Sequence, residues 1–557
     1  QLASVIGRIF SYPVLSAIAN DSPLPMGEGP GARAQNHLLD HLVTLERAQL
    51  IRERARLPER EYIFKHHLTQ EAAYNGLLKR ERRVYHRQVA EALEGLYSKR
   101  IEERVELLAH HWEQAGKAEK AIRYLHQAGD KAVQQSAYPE GRAHLTRALA
   151  LLEALPNDAS PEERLHRAEQ ELALQLSLGV ACCAIYSAHP EAARAYDRAR
   201  ELCQQMGKTS QLGPILGALA TLRYVGAEYE NARALGQEAL KLAKQTGDPV
   251  LLAASHWRLG FILFALGEYT AAHAHLEKTM VFYEPHHHQA LISMCVANPG
   301  PSAIAYDACC LWCLGYPDQA LQRSEEALTL ARELDHPFTL GDVLSFAGCQ
   351  LHVMRRDAQA LKESAEALLR PSSGMDLNWW IQGTLHRGEA VAMLGQIQEG
   401  MAQMREGIAA FHAIGARVLL PGALGSLAVA QAKAGQPQEG LATLAEALDL
   451  VAETDEHHWE AELHRLRGEL LLVQGEGGGA QVRLQAESCF QQAIEVARRQ
   501  QGRSWELRAT TSLARMWRKQ GRVDEARQTL AAIYDWFTEG FDTADLRDAR
   551  SLLEELS

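Results

Sequence analysis

The chain has 557 residues, too many for one ordinary hydrophobic core, and 46% of them are apolar while only 6% are aromatic. Its net charge of −12 argues against a chain that coats nucleic acid along its length, and no apolar run approaches the roughly 18–20 residues that span a bilayer. Nine cysteines in a chain this long make no disulfide framework, and their places on predicted helices fit a reducing, cytoplasmic setting.

The first hundred residues follow no repeat. Leu2, Val5, Ile6 and Phe10 suggest one short helix, and Val14 to Ala19 another. Asp21 to Arg33 is rich in Pro and Gly and reads as an inserted loop. Leu38, Leu39, Leu42, Val43 and Leu45 give an amphipathic helix. Leu50-Ile51 and Tyr62-Ile63-Phe64 then flank a charged stretch with Pro58, the pattern of two short strands joined by a polar tip. Thr69 can cap the next helix, and a basic helix runs from Glu81 to Tyr97. Helices, a hairpin and more helices predict a small winged-helix-like module over 1–100. The chain opens at Gln1 inside an apolar helical pattern, without an initiator Met or a signal peptide, and is expected to be the later part of a longer protein.

From about residue 101 the pattern is helical pairs. The first repeats occupy 101–160, with a turn at Gly116-Lys117 and small residues at Ala121 and Ala128. A solenoid is predicted over 161–541, and a C-terminal capping helix over 542–557. The repeat shows at its tight turns: Ser187, Ala227, Gly267, Gly315, Arg355, Gly395 and Gly435 are spaced by 40, 40, 48, 40, 40 and 40 residues. A further turn is expected near Gln481, after the glycine-rich stretch 474–479, and Gly521 follows 40 residues later. Five residues past each turn stands a small residue: Ala192, Ala232, Ala272, Ala320, Ala360, Gly400, Gly440, Ala486 and Ala526. Seven further on most repeats are small again (Ala199, Ala239, Ala327, Ala367, Gly407, Ala447, Ala493), with Thr279 and Ile533 as exceptions. A small side chain where two helices cross lets their axes approach, so Ala360→Trp is expected to overpack such a crossing. The same rule at a fixed interval predicts an all-α, TPR-like solenoid of about 40-residue helix pairs, with an inner groove.

Catalytic patterns are absent from the sequence. Gly207-Lys208-Thr209 has the tail of a phosphate-binding loop, but Leu202 stands where its first Gly belongs, and a helix end is the expected role. Cys309, Cys310 and Cys313 lie in one helical run near His286, His287 and His288; helix core is favoured over a zinc set, and no metal site is assigned. The histidine triplet falls in the eight-residue lengthening of its repeat, as an exposed loop or a groove lining. Residues 46–104 carry 14 Lys/Arg against 10 Asp/Glu, a local excess of +4. Lys79, Arg80, Arg82, Arg83 and Arg87 read as a solvated or partner-facing surface rather than a DNA contact. Trp379, Trp380, Trp459 and Trp505, near the starts of their repeats, fit helix packing or a ligand platform. No nucleophile, base and oxyanion set supports a hydrolase.

Three segments resemble a known family. Tyr62–Glu94 (YIFKHHLTQEAAYNGLLKRERRVYHRQVAEALE) is similar to the segment that follows the ATPase core in bacterial STAND-type AAA ATPases. Leu311–Phe338 (LWCLGYPDQALQRSEEALTLARELDHPF) and Ala532–Leu556 (AIYDWFTEGFDTADLRDARSLLEEL) resemble the repeats and tail of bacterial adenylate/guanylate cyclase proteins built as cyclase, ATPase and TPR-like repeats. Val5–Ser11 (VIGRIFS) is similar to the family's link out of the ATPase, with Ile9 where an acid is usual. The Pro/Gly stretch at Ser22–Arg33 is extra, and Pro285–Pro301 departs most from the pattern. The resemblance implies a regulatory and protein-interaction arm that controls an upstream nucleotide cyclase and is not itself an enzyme. It implies no cofactor within these residues, with ATP and Mg held only by the missing upstream domain. His66 is the position it offers for sensing that nucleotide. The expected partners are a protein or small-molecule effector in the solenoid groove and the upstream ATPase domain, with neither membrane nor nucleic acid. The effector-sensing arm of an ATPase-type transcription activator stays open as an alternative, and the sequence preceding Gln1 separates the two.

Overall fold

The computed structural model describes residues 1–20, 32–56, 58–156, 160–185, 190–208, 211–370, 377–474 and 479–557. The expected turn at Ser187, the Pro/Gly stretch through residue 31 and Thr209 lie outside these residues. The chain divides into two compact units, Gln1–Ser177 and Leu178–Ser557, so the expected division at 101 falls inside the first and that at 542 inside the second.

In the first unit three strands, β1 (Ile9–Ser11), β2 (Ile51–Ala55) and β3 (Glu61–Phe64), form an antiparallel sheet in the order β1-β3-β2. The hairpin falls where alternation predicts it. Phe10 does not belong to the first helix, which ends at Ile6; it lies in β1 opposite Tyr62. The reason is period-two packing: Phe10 stacks on Tyr62 at 5.7 Å and meets Phe64 at 5.5 Å, and all three rings are buried. The basic helix begins at Lys79, where the Glu81 carboxylate accepts from the Leu78 N–H at 2.8 Å, and ends at Leu96. Helices Val105–Gln114 and Ala118–Gln134 follow, joined at Gly116 with φ 71°, and Ala121 and Ala128 are buried between them and their neighbours.

The second unit is an all-α solenoid of TPR-like helix pairs. First helices run Leu212–Val225, Pro249–Ala265, Pro299–Leu314, Pro337–Val343 continued through Leu351–Arg355, Leu377–Met393, Leu420–Lys433, Glu460–Gln474 and Arg503–Lys519. Ala544–Glu555 occupies the place of a last first helix, with Leu546, Ala549 and Leu552 buried. Proline opens several of these helices, at the position where the missing N–H costs nothing. The turns carry the left-handed residue the spacing predicts: Ala227, Gly267, Gly315, Gly395, Gly435 and Gly521 all have positive φ. The 48-residue step is filled by a 3₁₀ turn, Pro285–His287, and an extra helix, His288–Cys295. Gln481 is not a turn; it lies in the first turn of helix Ala480–Arg499.

Of the nine predicted crossing residues, Ala192, Ala232, Ala272, Ala320, Gly400, Gly440, Ala486 and Ala526 are buried, and Ala360 is only half-buried. The register slips by one in that repeat. Its left-handed residue is Arg356, φ 58°, not Arg355, and five residues past it Leu361 is fully buried. Seven further, Leu368 is buried in place of Ala367. The cause is the π-helical stretch Leu344–Gln350, whose wider turn absorbs one residue before the hairpin. At Gly400 backbone meets backbone: a Cβ there falls 2.5 Å from the Gly388 carbonyl oxygen and 2.6 Å from the Ala392 backbone nitrogen. Gly400→Ala therefore forces backbone apart and is expected to cost about 1–3 kcal/mol, read as a lowered urea midpoint.

The superhelix winds tightly. The N–H of Arg417, before the sixth first helix, donates to the Val225 carbonyl that ends the first. Tyr269 donates to His458 O at 2.9 Å, and Ser504 Oγ to Trp312 O at 2.5 Å. Arg356 pairs with Asp545 at 3.2 Å. Each contact joins the end of one first helix, or the turn just past it, to the start of the first helix five pairs later. One superhelical turn thus takes about five pairs, and successive turns stack. First helices are consequently enclosed on all sides: every residue of Leu252–Ala265 and of Pro299–Cys313 is buried.

Candidate functional site: an aromatic pocket on the superhelix axis

Five consecutive first helices and the approach to a sixth, about one turn of the superhelix, surround a single pocket. They contribute in order Tyr224, Trp257 with Phe261, Tyr306, Asp342 with Phe346, Trp379 with Gln382, and Leu419 at the approach to the sixth. The aromatic walls brace one another. Tyr306 stacks on Phe346 at 3.9 Å, Phe261 meets Tyr224 edge-on at 4.5 Å and Trp257 at 5.1 Å, and Phe338 meets Trp379 at 5.1 Å. Phe338, Asp342 and Phe346, spaced by four, reach the same pocket from a helix that turns π-helical over Leu344–Gln350. Such turns often sit at functional sites. The pocket's volume is about 110 Å³, the order of a cavity that admits one benzene-sized group (about 150 Å³).

The polar groups are few. The indole N–H groups of Trp257 and Trp379 have no hydrogen-bond partner among the described residues. Burial pushes the Asp342 carboxyl up to about 6, with the Ser302 hydroxyl opposing the shift. Behind one wall Arg258, 3% exposed, donates to Thr221 Oγ1 at 3.2 Å and Cys295 Sγ at 3.3 Å. Both acceptors line the pocket, and among the described residues no carboxylate lies within ion-pair reach of this guanidinium. Two free donors, one carboxyl raised by burial and a cation with only neutral partners, set in apolar walls, are the features of a ligand pocket.

The residues singled out from sequence fall differently. Of Trp379, Trp380, Trp459 and Trp505, only Trp379 reaches this pocket, beside Trp257; Trp380 is partly exposed. Trp459 and Trp505 lie 5.2 Å apart, and Trp505 meets Trp312 at 4.7 Å, which makes them packing between superhelical turns. Cys309, Cys310 and Cys313 are buried in helix Pro299–Leu314, and burial raises all three thiols. His286 is exposed on the added turn. Gly207 ends helix Pro190–Met206 with φ 67°. His66 lies two residues past the end of β3 at Phe64, exposed before helix His67–Asn75 and without a side-chain capping bond. Lys79, Arg80, Arg83 and Arg87 are exposed, while Arg82 lies over the Tyr74 ring at 4.6 Å. Reading the sequence missed the pocket; an acid and two phenylalanines four apart in an apolar run (Phe338, Asp342, Phe346) were its one local sign.

No protein-family model matches the chain. Among curated proteins it is similar to R02095, an uncharacterized protein of Rhizobium meliloti (strain 1021), at 24% identity over 488 residues, 86% of this chain. Those residues are 45% of that protein, so the chain spans less than half the length of the curated relative it matches. Similar solved structures include the APC/C hetero-tetramer Cut9–Hcn1 (TM-score 0.43, 13% identity, 87% of this chain and 98% of that one). Others are NprR in complex with its cognate peptide NprX (0.41, 14%, 68% and 98%) and a Rap protein complexed with competence and sporulation factor (0.36, 12%, 78% and 99%).

Proposed function

We propose that the second unit is a sensing and interaction module whose effector, a peptide or small molecule, places an aromatic or large aliphatic group in the axial pocket. The observation that carries this reading is the enclosure of one pocket by a whole superhelical turn. A group bound there touches five first helices and the approach to a sixth, so occupancy favours one winding of the solenoid over another. That differential contact is what a regulatory ligand needs. The unpaired indole donors and the Arg258 charge favour an effector with an acceptor or anionic group at that end. In the longer parent that the resemblance implies, the module controls a STAND-type ATPase and, through it, a nucleotide cyclase.

The test is selection of a random displayed peptide library on the full chain, followed by binding of the selected peptides to Ala297→Phe and Asp342→Asn. Ala297 lines the pocket and is 2% exposed, so the phenyl ring fills the space. Affinity is expected to fall at least tenfold, about 1.4 kcal/mol, with helical content unchanged. Equal affinity for wild type and both variants rules the pocket out as the recognition site.

A further inference from the structure

The first unit holds a cluster that plays no part in the pocket. His86, on helix Lys79–Leu96, and His110 and His111, on helix Val105–Gln114, each offer a ring nitrogen, and these three atoms lie within 4.8 Å of one another. His86 and His111 are each 1% exposed, and their Nδ1 atoms face each other at 2.8 Å. The outer side of each ring is held by oxygen: Tyr74 Oη sits 2.9 Å from His86 Nε2, and the Ile6 carbonyl accepts from His111. His110 is exposed and closes the third side, its ring 5.6 Å from His86 and 5.2 Å from His111.

We propose that His86, His110 and His111 form a site for a divalent cation of the zinc class, with water in the fourth position. Two inward nitrogens whose outward nitrogens are fixed by a hydroxyl and a carbonyl are the arrangement that orients metal-bound imidazoles. Three imidazoles and an open position suit Zn²⁺, with Ni²⁺ and Cu²⁺ as chemical relatives. Without metal the network closes on itself: Tyr74 O–H donates to His86 Nε2, His86 Nδ1–H to His111 Nδ1, and His111 Nε2–H to Ile6 O. This tautomer assignment follows from the hydrogen-bond partners. With metal, His86 shifts its proton to Nε2, Tyr74 becomes the acceptor, and the cation stands where the bridging proton was; no net proton is lost. Tetrahedral geometry with Zn–N of about 2.0–2.1 Å asks the two Nδ1 atoms to part by about half an ångström. Burial first, then His110 and Arg82, hold His86 down to about 4, and burial lowers His110 and His111 as well. The cation would add a second tie between two helices already joined by the Trp112 indole N–H donating to the Glu94 carboxylate at 3.1 Å.

The experiment is titration of Zn²⁺ alone into the metal-free full chain, in competition with a chromophoric chelator, beside His110→Ala and Tyr74→Phe. His110 is exposed, so its removal leaves the fold in place; circular dichroism checks this. Wild type is expected to bind one equivalent at micromolar affinity or better, and His110→Ala at least tenfold more weakly. Tyr74→Phe, which removes only a positioning group, is expected to weaken binding by about tenfold or more. Co²⁺ in place of Zn²⁺ gives a tetrahedral visible spectrum without a thiolate band, which separates this site from the nine cysteines. Equal binding by wild type and His110→Ala, no binding tighter than micromolar, or a thiolate band overturns the proposal.

Discussion

Leu361→Ala is expected to destabilise the second unit by about 2–5 kcal/mol, while Ala360→Trp, one residue earlier, costs about 1 kcal/mol or less, nearer the range of surface changes. The order is the reverse of what the 40-residue spacing predicts. Leu361 has no exposed surface and packs in a cluster with Leu344, Cys349, Ala365, Leu368, Trp379 and Ala390. Truncation there opens a cavity bounded on two sides by helices that cannot collapse independently. Ala360 stands in the first turn of helix Ala358–Leu368, half-buried, with its N–H held by Asp357 Oδ1 at 3.1 Å. An indole at that position can turn outward. Urea midpoints of the two variants against wild type decide the matter. A larger loss for Ala360→Trp than for Leu361→Ala restores the unslipped register and removes the π-helical explanation. Because one Cβ position here separates core from rim, the comparison is sharp.

That slip shows where sequence ceases to be legible. The small residues at helix crossings are local consequences of close approach, so Ala232, Ala272 or Ala526 can be read from spacing alone, and they are buried as read. A π turn adds one residue without changing composition, and Arg356 takes the left-handed turn where glycine is usual. Ion pairs from Arg356 to Asp545 and Asp548 help to hold that turn. Neither leaves a mark in a single sequence. Superhelical pitch is harder still. It is the sum of small rotations per pair, and only after five pairs does it bring Tyr269 to His458 or Trp312 to Ser504. The axial pocket inherits that difficulty, since its walls come from residues as distant as Tyr224 and Leu419. The histidine cluster depends in the same way on two helices meeting, and the adjacent pair His110-His111 was its one visible sign. The short strand β1 was lost for a simpler reason: three residues are too few to show alternation.

Glu456→Gln is expected to leave stability nearly unchanged at pH 4.5 and to raise it progressively up to pH 8, by as much as about 3 kcal/mol relative to wild type. Glu456 is fully buried where two superhelical turns meet. Its Oε2 accepts from Tyr229 Oη at 2.5 Å and its Oε1 from the Leu419 N–H at 3.1 Å. Burial pushes the carboxyl up to about 7, those two hydrogen bonds opposing, from an ordinary value of 4.5. His458, 3.6 Å away, is held down to about 3 by burial first and by His457 second, so it supplies no counter-charge near neutrality. The sign follows from proton counting. Between pH 4.5 and 7 the folded chain keeps a proton on Glu456 that the unfolded chain has released, so stability falls as pH rises through this window. The contribution is whole below 4.5 and lost above 7. Several buried histidines titrate on the acid side as well, and taking the difference between variant and wild type cancels them. The amide keeps both polar contacts without a charge, accepting from Leu419 and donating to Tyr229 Oη. Urea titrations at half-unit steps from pH 4.5 to 8 measure the difference directly. A flat difference means that Glu456 ionises in the fold as it does in the open chain. A rising one means that the seam between superhelical turns loosens near neutral pH, through a single acid placed where winding brings residues 229, 419 and 456 together.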